Sequence, residues 1–318
     1  MTYAPTRFAE PLLFGSDFAL RHRVRLLGQP QLQDYLDFVR EKAIGGDKAD
    51  IRALVDEWRA ANDHFYDLET SEAGIADEID VRDLDPSCAP LAERLFEEPR
   101  FAKAFEELPV RLALVELDKL VVSQLSVSLD FAEGLARQLG PKPTPEALFR
   151  FCQTVDRVEA PVEIRRLDDG RWLFSSESTD FRAHEPGLLT PAQASDAATV
   201  DPVRALVGVA IGYGSNFLHA VEADGRLILQ NGYHRAYALR SLGITHAVCA
   251  IQTVTRRDEL KLVACQTVAG SPEFYCRAAR PPLLKDYFDP RIAKVLTVRK
   301  VTRMIEVALK VRELQAVE

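Results

Sequence analysis

The chain has 318 residues, of which 47% are apolar, and its formal net charge is −8. This composition suffices for one large folded domain or two modest ones, and the negative charge argues against a surface built throughout to neutralise nucleic-acid phosphates. The sequence has no run of eighteen apolar residues and no leader-like start, so we expect no membrane association and a cytoplasmic location.

The cysteines and histidines give no pattern typical of a metal centre. The five cysteines are odd in number, lie far apart and include no CxxC pair, which predicts reduced, packed thiols rather than a disulfide framework. The six histidines include no HxH or HxxxH spacing. We therefore predict no metal site formed by the protein itself.

Residues 1–108 are predicted to form a helical N-terminal region. Apolar residues recur at helical spacing in QPQLQDYLDFVREKA and in DKADIRALVDEWRAANDHFYDL, where Asp47 is the expected helix cap. Short helical turns are expected over residues 91–105, and Pro109 ends the pattern. The acidic segment inside this region indicates a solvated face.

Residues 109–255 are predicted to form an α+β core on a mixed sheet, with a long insertion at about residues 140–201. The segment VRLALVELDKLVVSQLSVSL is rich in Val and Leu and predicts strands. Two helices are expected after it, one over residues 130–139 and one that starts at the cap Thr144. We expect this part of the chain to belong to the α+β class.

Two Asp-Gly pairs predict β-hairpins. Asp169-Gly170 and Asp224-Gly225 each separate two strand-like segments, and this dipeptide suits the tight turns of hairpins. The outgoing strand of the second hairpin leads directly into the sequence NGYHR. That hairpin is therefore expected to anchor whatever the NGYHR segment does.

Residues 256–318 are predicted to form a C-terminal extension. Its segment RPPLLKDYFDP indicates an extended stretch laid on the surface, followed by a turn at Asp289-Pro290. Apolar residues over 298–307 recur with a period that fits a helix about as well as a strand. The element type there stays open.

The segment LILQNGYHRAYALRSLGITHAVCAI predicts a strand, a tight turn and a helix that stops at Gly243. A glycine turn before a helix lets the backbone approach an anion, and the helix start offers free N–H donors with a partial positive charge. Arginine adds paired bonds to phosphate oxygens, and histidine adds a donor that depends on protonation. The predicted binding residues are Asn231, Gly232, Tyr233, His234 and Arg235.

This segment resembles the phosphate-binding box of the ParB/sulfiredoxin superfamily. There a strand is followed by Gly-x-(His or Arg)-Arg, a helix with alanines, a glycine and a closing strand. On this resemblance Gly232 is the turn glycine, His234 and Arg235 are the basic pair, and Gly243 precedes the closing strand. The match is centred on residues 217–251 and implies a ParB/sulfiredoxin-like mixed sheet with helices.

Departures from the family narrow the implied activity. Sulfiredoxins carry a catalytic cysteine where this chain has Tyr233, and phenol cannot replace a thiolate nucleophile. Chromosome-partitioning members continue into a DNA-binding helix-turn-helix, which we do not recognise after Val254. Free-serine kinases of the superfamily use an acidic residue near the first strand as base. Glu116 and Asp118 lie in that neighbourhood, and with His234 they are the candidate catalytic residues.

These features predict a protein that binds a nucleotide, ATP, ADP or CTP with accompanying Mg²⁺, or another phosphorylated small molecule. Phosphoryl transfer or nucleotide hydrolysis is the reaction that best fits such a site. Two alternatives stay open, a non-catalytic ligand-gated interaction protein and a ParB-like nucleic-acid-acting protein, which the net charge disfavours. A purely structural interpretation also stays open, in which Arg235 forms an ion pair that holds the helix and His234 is a buried structural histidine. A homodimer is compatible with all of these.

Overall fold

The structure is a computed structural model that describes residues 20–29, 31–154, 161–167, 170–178, 180–190 and 205–311. Nine α-helices lie within them: α1 Leu32–Lys42, α2 Ile51–Ser71, α3 Ala89–Glu97, α4 Pro99–Ala104, α5 Leu129–Leu139, α6 Pro145–Cys152, α7 Tyr233–Ser241, α8 Arg257–Val263 and α9 Gln266–Gly270. The strands of the same residues are β1 Leu20–Leu26, β2 Val81–Arg82, β3 Val110–Glu116, β4 Val121–Val122, β5 Ser126–Ser128, β6 Glu163–Arg166, β7 Trp172–Ser176, β8 Phe181–Ala183, β9 Gly187–Leu188, β10 Val207–Gly208, β11 Ile211–Tyr213, β12 His219–Ala223, β13 Arg226–Asn231, β14 His246–Thr253, β15 Ala293–Arg299 and β16 Arg303–Val307. The α+β class expected from the sequence is confirmed.

A mixed sheet of six described strands forms the centre, in the order β2-β3-β14-β12-β13-β4. β12 is parallel to β14 and antiparallel to β13, and β4 is parallel to β13. Helix α7 connects β13 to β14 across the intervening strand β12. The start of α7 therefore lies at the end of a central strand.

The predicted hairpin at Asp224-Gly225 is confirmed. Both residues have positive φ, 51° and 83°, which is the conformation that a two-residue hairpin turn with the right-handed strand twist needs. The other predicted hairpin is formed by β6 and β7, which pair antiparallel. Asp169 of its predicted turn lies outside the described residues.

Apolar side chains cover both faces of the central sheet. On one face the core contains Leu227 and Leu229 of β13 together with Ala236 and Leu239 of α7. On the other face Ile228 packs with residues of α8, α9 and the C-terminal segment. Burial of this kind stabilises by about 25 cal/mol per Å² of apolar area, so β13 and α7 form a firm base for the turn between them.

The N-terminal and C-terminal parts of the chain pair with each other. Residues 1–108 contribute not only the predicted helices but also β1, which pairs with β15 and with β5. Strand β16 pairs with β7, so residues 298–307 belong to two strands rather than to a helix. The cap of α2 is Asp50, whose side chain accepts from the N–H groups of Arg52 and Ala53, and the prediction of Asp47 was wrong.

The prolines of RPPLLKDYFDP predicted an extended segment laid on the surface. The structure instead places this segment in the core. Leu283, Leu284 and Tyr287 are almost fully buried. Arg280 is fully buried and binds two carboxylates, Asp286 with both Nη atoms at 2.6 Å and Glu72 with Nη2 at 3.0 Å. We call Arg280, Glu72 and Asp286 the Arg280 cluster.

Two further sequence predictions concern helix ends and membrane segments. Thr144 caps α6 by accepting from the Ala147 N–H, as predicted, and α5 ends at Gly140, which has a φ of 77°. Among the described helices, none combines the length and the apolar character needed to cross a bilayer.

Candidate functional site

Gly232 sets the geometry between β13 and α7. Its φ is 94°, a conformation that favours glycine, and a Cβ at this position would lie 2.9 Å from Leu218 Cγ. The same Cβ would lie 3.2 Å from an Nη atom of Arg235. No side chain of the described residues caps α7, so the first turn of this helix keeps its N-terminal polarity.

Asn231 holds the turn in place. Its Oδ1 accepts from the Gly232 N–H at 2.8 Å, and its Nδ2 donates to the carbonyl of Ser215 at 2.6 Å. The second bond ties the turn to the glycine-rich loop GYGSN, residues 212–216. Both polar atoms of the Asn231 side chain are used inside the protein, which makes Asn231 a support of the turn.

Tyr233 points into the protein. Its hydroxyl donates to the Leu229 carbonyl and accepts from Ser123 Oγ, with 3.0 Å between the two oxygens. Burial is the main cause that raises the pKa of Tyr233 far above its ordinary value of 10. Only the backbone of Tyr233 is therefore placed to meet a ligand at the helix start.

Arg235 is also directed inward and is only 4% exposed. Its Nη1 donates to the carbonyl oxygens of Cys152, at 2.6 Å, and Asn216. These bonds join α6 and the GYGSN loop to the first turn of α7. The sequence suggested either a phosphate ligand or an ion pair that holds the helix; the observed Nη1 contacts are to carbonyls, and Arg235 acts as a buried support.

His234 faces the other way, toward α5 and β1. Its ring meets the edge of Phe131 with 5.2 Å between centroids, and it makes no hydrogen bond within the described part of the chain. Burial, the largest cause, together with Arg23 and Arg235 lowers the pKa of His234 to about 4, while Asp180 acts in the opposite sense. The imidazole is therefore neutral near pH 7 in the protein without a ligand.

Arg23 lies near His234, and Arg303 lies near Arg23. Arg23 of β1 has one hydrogen bond to the described residues, a long one of 3.5 Å to Ser126 Oγ, and Arg303 of β16 donates to the Phe181 carbonyl at 3.2 Å. Neither forms a salt bridge with a carboxylate of the described residues. Burial, followed by the charge of Arg303, lowers the pKa of Arg23. We call these two arginines, together with the neutral His234, the α7 cationic cluster, after the charge of Arg23 and Arg303.

The surroundings of this cluster are fixed by contacts between distant segments. Asp130 of α5 accepts from the backbone N–H of His22, which fixes β1 beside the start of α5. On the other side, the Arg182 guanidinium covers Gly214, where a Cβ would overlap it. Gly214 N–H in turn donates to the carbonyl of Asp180 at 3.1 Å. The GYGSN loop thus holds Asp180, whose charge acts on His234, through a backbone bond.

The structure does not bring the two predicted catalytic carboxylates to His234. Asp118 pairs with Arg240, at 2.9 Å, in the last turn of α7. Glu116 accepts from the Asp80 N–H and lies 3.3 Å from Lys119. Because nine helical residues span about 13 Å, these carboxylates lie one helix length from the turn. The acidic residue whose charge acts on His234 is Asp180.

Other histidines and carboxylates on the strands of the central sheet have structural contacts. His219 packs against Phe105, and burial lowers its pKa to about 4, an effect that a hydrogen bond with Gln252 opposes. Glu222 accepts from Thr253 Oγ1 at 2.6 Å, and His246 lies 3.2 Å from Asp80. The described residues include no group of three or more His, Cys, Asp or Glu side chains that could hold a metal ion.

Two pairs of adjacent arginines in the sequence, Arg165-Arg166 and Arg256-Arg257, do not form a positively charged surface free of carboxylates. Arg165 pairs with Glu163 at 2.6 Å, Arg256 lies 3.2 Å from Glu259, and Arg257 pairs with Glu273. These pairs neutralise two of the clusters that a nucleic-acid interface would need. A third group of basic residues in the sequence is Arg299, Lys300 and Arg303, of which Lys300 pairs with Glu177.

Comparisons of the chain with models of protein families, with curated proteins and with solved structures give no match. The site is therefore interpreted from its own geometry. Sequence reasoning found the turn but missed Arg23, Phe131 and Asp180, which lie far from it along the chain. No local pattern marks them, since their proximity depends on how β1, α5 and the insertion pack.

Proposed function

We propose that this protein binds a phosphorylated small molecule, with the nucleotides ATP, ADP and CTP as the leading class, at the start of α7. One observation carries the proposal: a helix starts at a left-handed glycine without a side-chain cap, and Arg23, which forms no salt bridge with a carboxylate of the described residues, lies near His234 in its first turn. Such a site favours an anion with several oxygens. The similarity of NGYHR and its flanks to the ParB/sulfiredoxin box agrees with this proposal.

The physical roles within the turn follow from the contacts. Gly232 and Asn231 shape the backbone, while Tyr233 and Arg235 anchor it from behind. His234 is the side chain of the turn that meets the ligand, since its ring nitrogens have no partner among the described residues. An anion bound beside it would favour the protonated imidazole, because an opposite charge raises the pKa of a histidine.

Phosphoryl transfer remains the reaction that we propose for this site. Such enzymes act mainly by placing the phosphates and neutralising the charge that develops on them, a task that suits arginines at a helix start. Mg²⁺ would arrive with the nucleotide, since phosphates and one or two carboxylates commonly hold it. Asp180 is the carboxylate that we propose to act near the transferred group, in place of Glu116 and Asp118.

A non-catalytic role has one specific observation in its favour. Both carboxylates expected to act as base, Glu116 and Asp118, are paired at the far end of α7. A ligand at the start of the helix would then bias how α5, which carries Phe131, packs against it, as in a ligand-gated interaction protein. Turnover separates the two proposals.

The binding test is calorimetric titration of the wild-type protein with ATP, ADP, CTP and GTP, each with magnesium. We expect one nucleotide class to bind and His234→Gln to weaken it by roughly fivefold or more, since one charge-assisted contact contributes about 1 kcal/mol or more. His246→Gln is the matched control, because His246 is paired with Asp80 at the far end of the site's helix. A folded wild-type protein that binds none of the four would refute the proposal.

The turnover test measures release of phosphate or of the nucleoside diphosphate by the nucleotide-bound protein. If the protein is an enzyme, Asp180→Asn should lower the turnover rate by tenfold or more without a comparable loss of affinity, whereas Asp118→Asn should have no such effect. Tight binding without turnover would favour the ligand-gated alternative.

A further inference from the structure

Strand β6 is an edge strand, and no described strand pairs with its outer side. The order of its sheet is β16-β7-β6, so β7 covers one side of β6 only. All four residues of the strand, Glu163–Arg166, are exposed, and Ile164 is 58% exposed. The backbone groups along such an edge are a template for pairing with a further strand. The sequence of β6 indicates which strand that is.

The hydrogen-bond alternation decides which backbone groups of β6 point outward. The Leu167 N–H donates to the Arg171 carbonyl at 2.9 Å, so these two residues are a hydrogen-bonded pair in the register of β6 with β7. Bonded and non-bonded pairs alternate along an antiparallel ladder. Counted back from Leu167, the N–H and C=O groups of Ile164 and Arg166 therefore point away from β7, toward the outer edge.

The side chains of β6 are complementary to those of a second copy of the same strand. Two edge strands related by a two-fold axis run antiparallel, and the residue on the axis faces its own copy. With the axis at Ile164, Glu163 lies opposite Arg165 of the second copy, and Arg166 lies opposite the uncharged Val162. Unlike charges directly opposite each other stabilise a ladder, and like charges destabilise it. An axis at Glu163, Arg165 or Arg166 would instead place two like charges opposite each other.

The apolar side chains of this sheet lie on the same face as Ile164. In the register of the three strands, Phe174 lies between Ile164 and Ile305, and Trp172 lies opposite Val307. Opposite residues share a face of a sheet, as do residues two apart along one strand. Trp172 is 42% exposed. Pairing through β6 would join this apolar face to its copy in a sheet of six strands, with Ile164 at the centre.

We propose that this protein forms a homodimer in which β6 pairs antiparallel with β6 of a second copy, with the two-fold axis at Ile164. The charge pattern favours a second copy over an unrelated extended peptide, because the same strand supplies both members of each unlike pair. Glu163 already lies 2.6 Å from Arg165 of its own chain, and in the dimer it also meets Arg165 of the other. The contact does not involve the start of α7, so this inference is independent of the proposed ligand.

The pairing is short, and interfaces below about 1,200 Å² are commonly transient. Sedimentation velocity of the full chain from about 1 to 200 µM covers the affinities of such contacts. We expect a reversible equilibrium between monomer and dimer in this range.

Charge reversals test the register of the pairing. Glu163→Arg places two positive charges opposite each other, and Arg165→Glu places two negative charges there. Each alone should weaken dimerisation by roughly tenfold or more, since like charges oppose each other twice in the symmetric dimer. An equimolar mixture of the two variants should form a heterodimer, because both opposite pairs are then unlike. The variant that carries both reversals should dimerise as the wild type does.

Asp56→Arg and Arg59→Glu are the matched controls, since they reverse the charges of an exposed pair on α2 and should leave the dimer unchanged. The substituted side chains of β6 are exposed, so circular dichroism and urea midpoints of all variants should match those of the wild type. A wild-type protein that stays monomeric over the whole range would overturn the proposal. A dimer that both single variants leave intact, or a mixture that stays monomeric, would overturn it as well.

Discussion

Two groups of arginines in this protein differ in how their charge is neutralised. In the Arg280 cluster a fully buried guanidinium meets two carboxylates, with bidentate bonds of 2.6 Å to Asp286. In the α7 cationic cluster, Arg23 donates to the Ser126 hydroxyl and Arg303 to the Phe181 carbonyl, and neither forms a salt bridge with a carboxylate of the described residues. The first group joins α2 to the C-terminal segment, and Arg23 of the second group lies near His234 in the first turn of α7.

The difference separates arginines that stabilise the fold from arginines that we propose to bind a ligand. A buried charge is tolerated when its partners come from the protein, because desolvation is then offset by close ion pairs. A charge without such a partner lowers stability slightly, and proteins retain such charges mainly where they bind something. Arg235 is an intermediate case, since its Nη1 is bound by two carbonyls rather than by a carboxylate.

The largest effect is expected from Arg280→Met. It would leave Asp286 buried without its cation, and breaking a buried pair costs about 3–5 kcal/mol of the free energy of unfolding. Urea denaturation measures this loss. Lys285→Met is the control, since Lys285 binds the same Glu72 at 2.7 Å from a more exposed position and should cost about 1 kcal/mol or less. Equal losses in the two variants would show that the buried ion pairs of Arg280 stabilise the protein no more than the more exposed ion pair of Lys285.

Gly232→Ala should come next. The left-handed backbone costs a non-glycine residue about 1–2 kcal/mol, and the new Cβ would press on Leu218 at 2.9 Å, which adds about 1–3 kcal/mol. Gly243→Ala at the other end of α7 has a φ of 78° and no atom within 4 Å, so it isolates the backbone cost. The free energies of unfolding of both variants separate the backbone cost from the cost of the contact with Leu218. A loss at Gly232 no larger than at Gly243 would show that Leu218 moves aside without a measurable cost.

Acidification should weaken the protein through His234 and His219, each with its pKa lowered by burial from 6.5 to about 4. Their unfolded forms take up protons between those values and the folded forms do not, so the free energy of unfolding falls from pH 6.5 to about 4 and then levels off. The groups that face His234 are Arg23, Arg235 and Asp180, and Asp180 limits the effect.

Urea midpoints at pH 7, 5.5 and 4.5 measure this slope. His219→Phe and His234→Gln should each make it shallower, and His64→Gln, at a histidine that is hydrogen-bonded to Asp289, is the comparison variant. An unchanged slope in both site variants would exclude these histidines as its source.

The smallest effect on stability is expected from Arg23→Gln. Removing one of two repelling cations should change the free energy of unfolding by about 0.5 kcal/mol or less, in either direction. Urea denaturation checks this, with Arg280→Met as the opposite extreme. A loss comparable to that of Arg280→Met would mean that Arg23 supports the fold, and the interpretation of the cluster as a ligand site would lose its basis.

Local features of the candidate site were predictable. The Asp224-Gly225 turn, the cap Thr144 and the strand, glycine and helix around Gly232 all depend on backbone conformations that neighbouring residues select. The predictions that failed were of another kind. Asp47 and Asp50 lie three positions apart, and only the path of the chain before α2 decides which of them caps the helix.

The sequence by itself determined that a glycine turn lies between β13 and α7, because a left-handed glycine before a helix is a local property. Only the tertiary structure decided which side chains face it. Arg235 turned inward to two carbonyls, Asp118 paired with Arg240, and Arg23 arrived from the opposite end of the chain. The reason is physical: a side chain's partner is chosen by long-range strand pairing and by burial, which no short segment encodes.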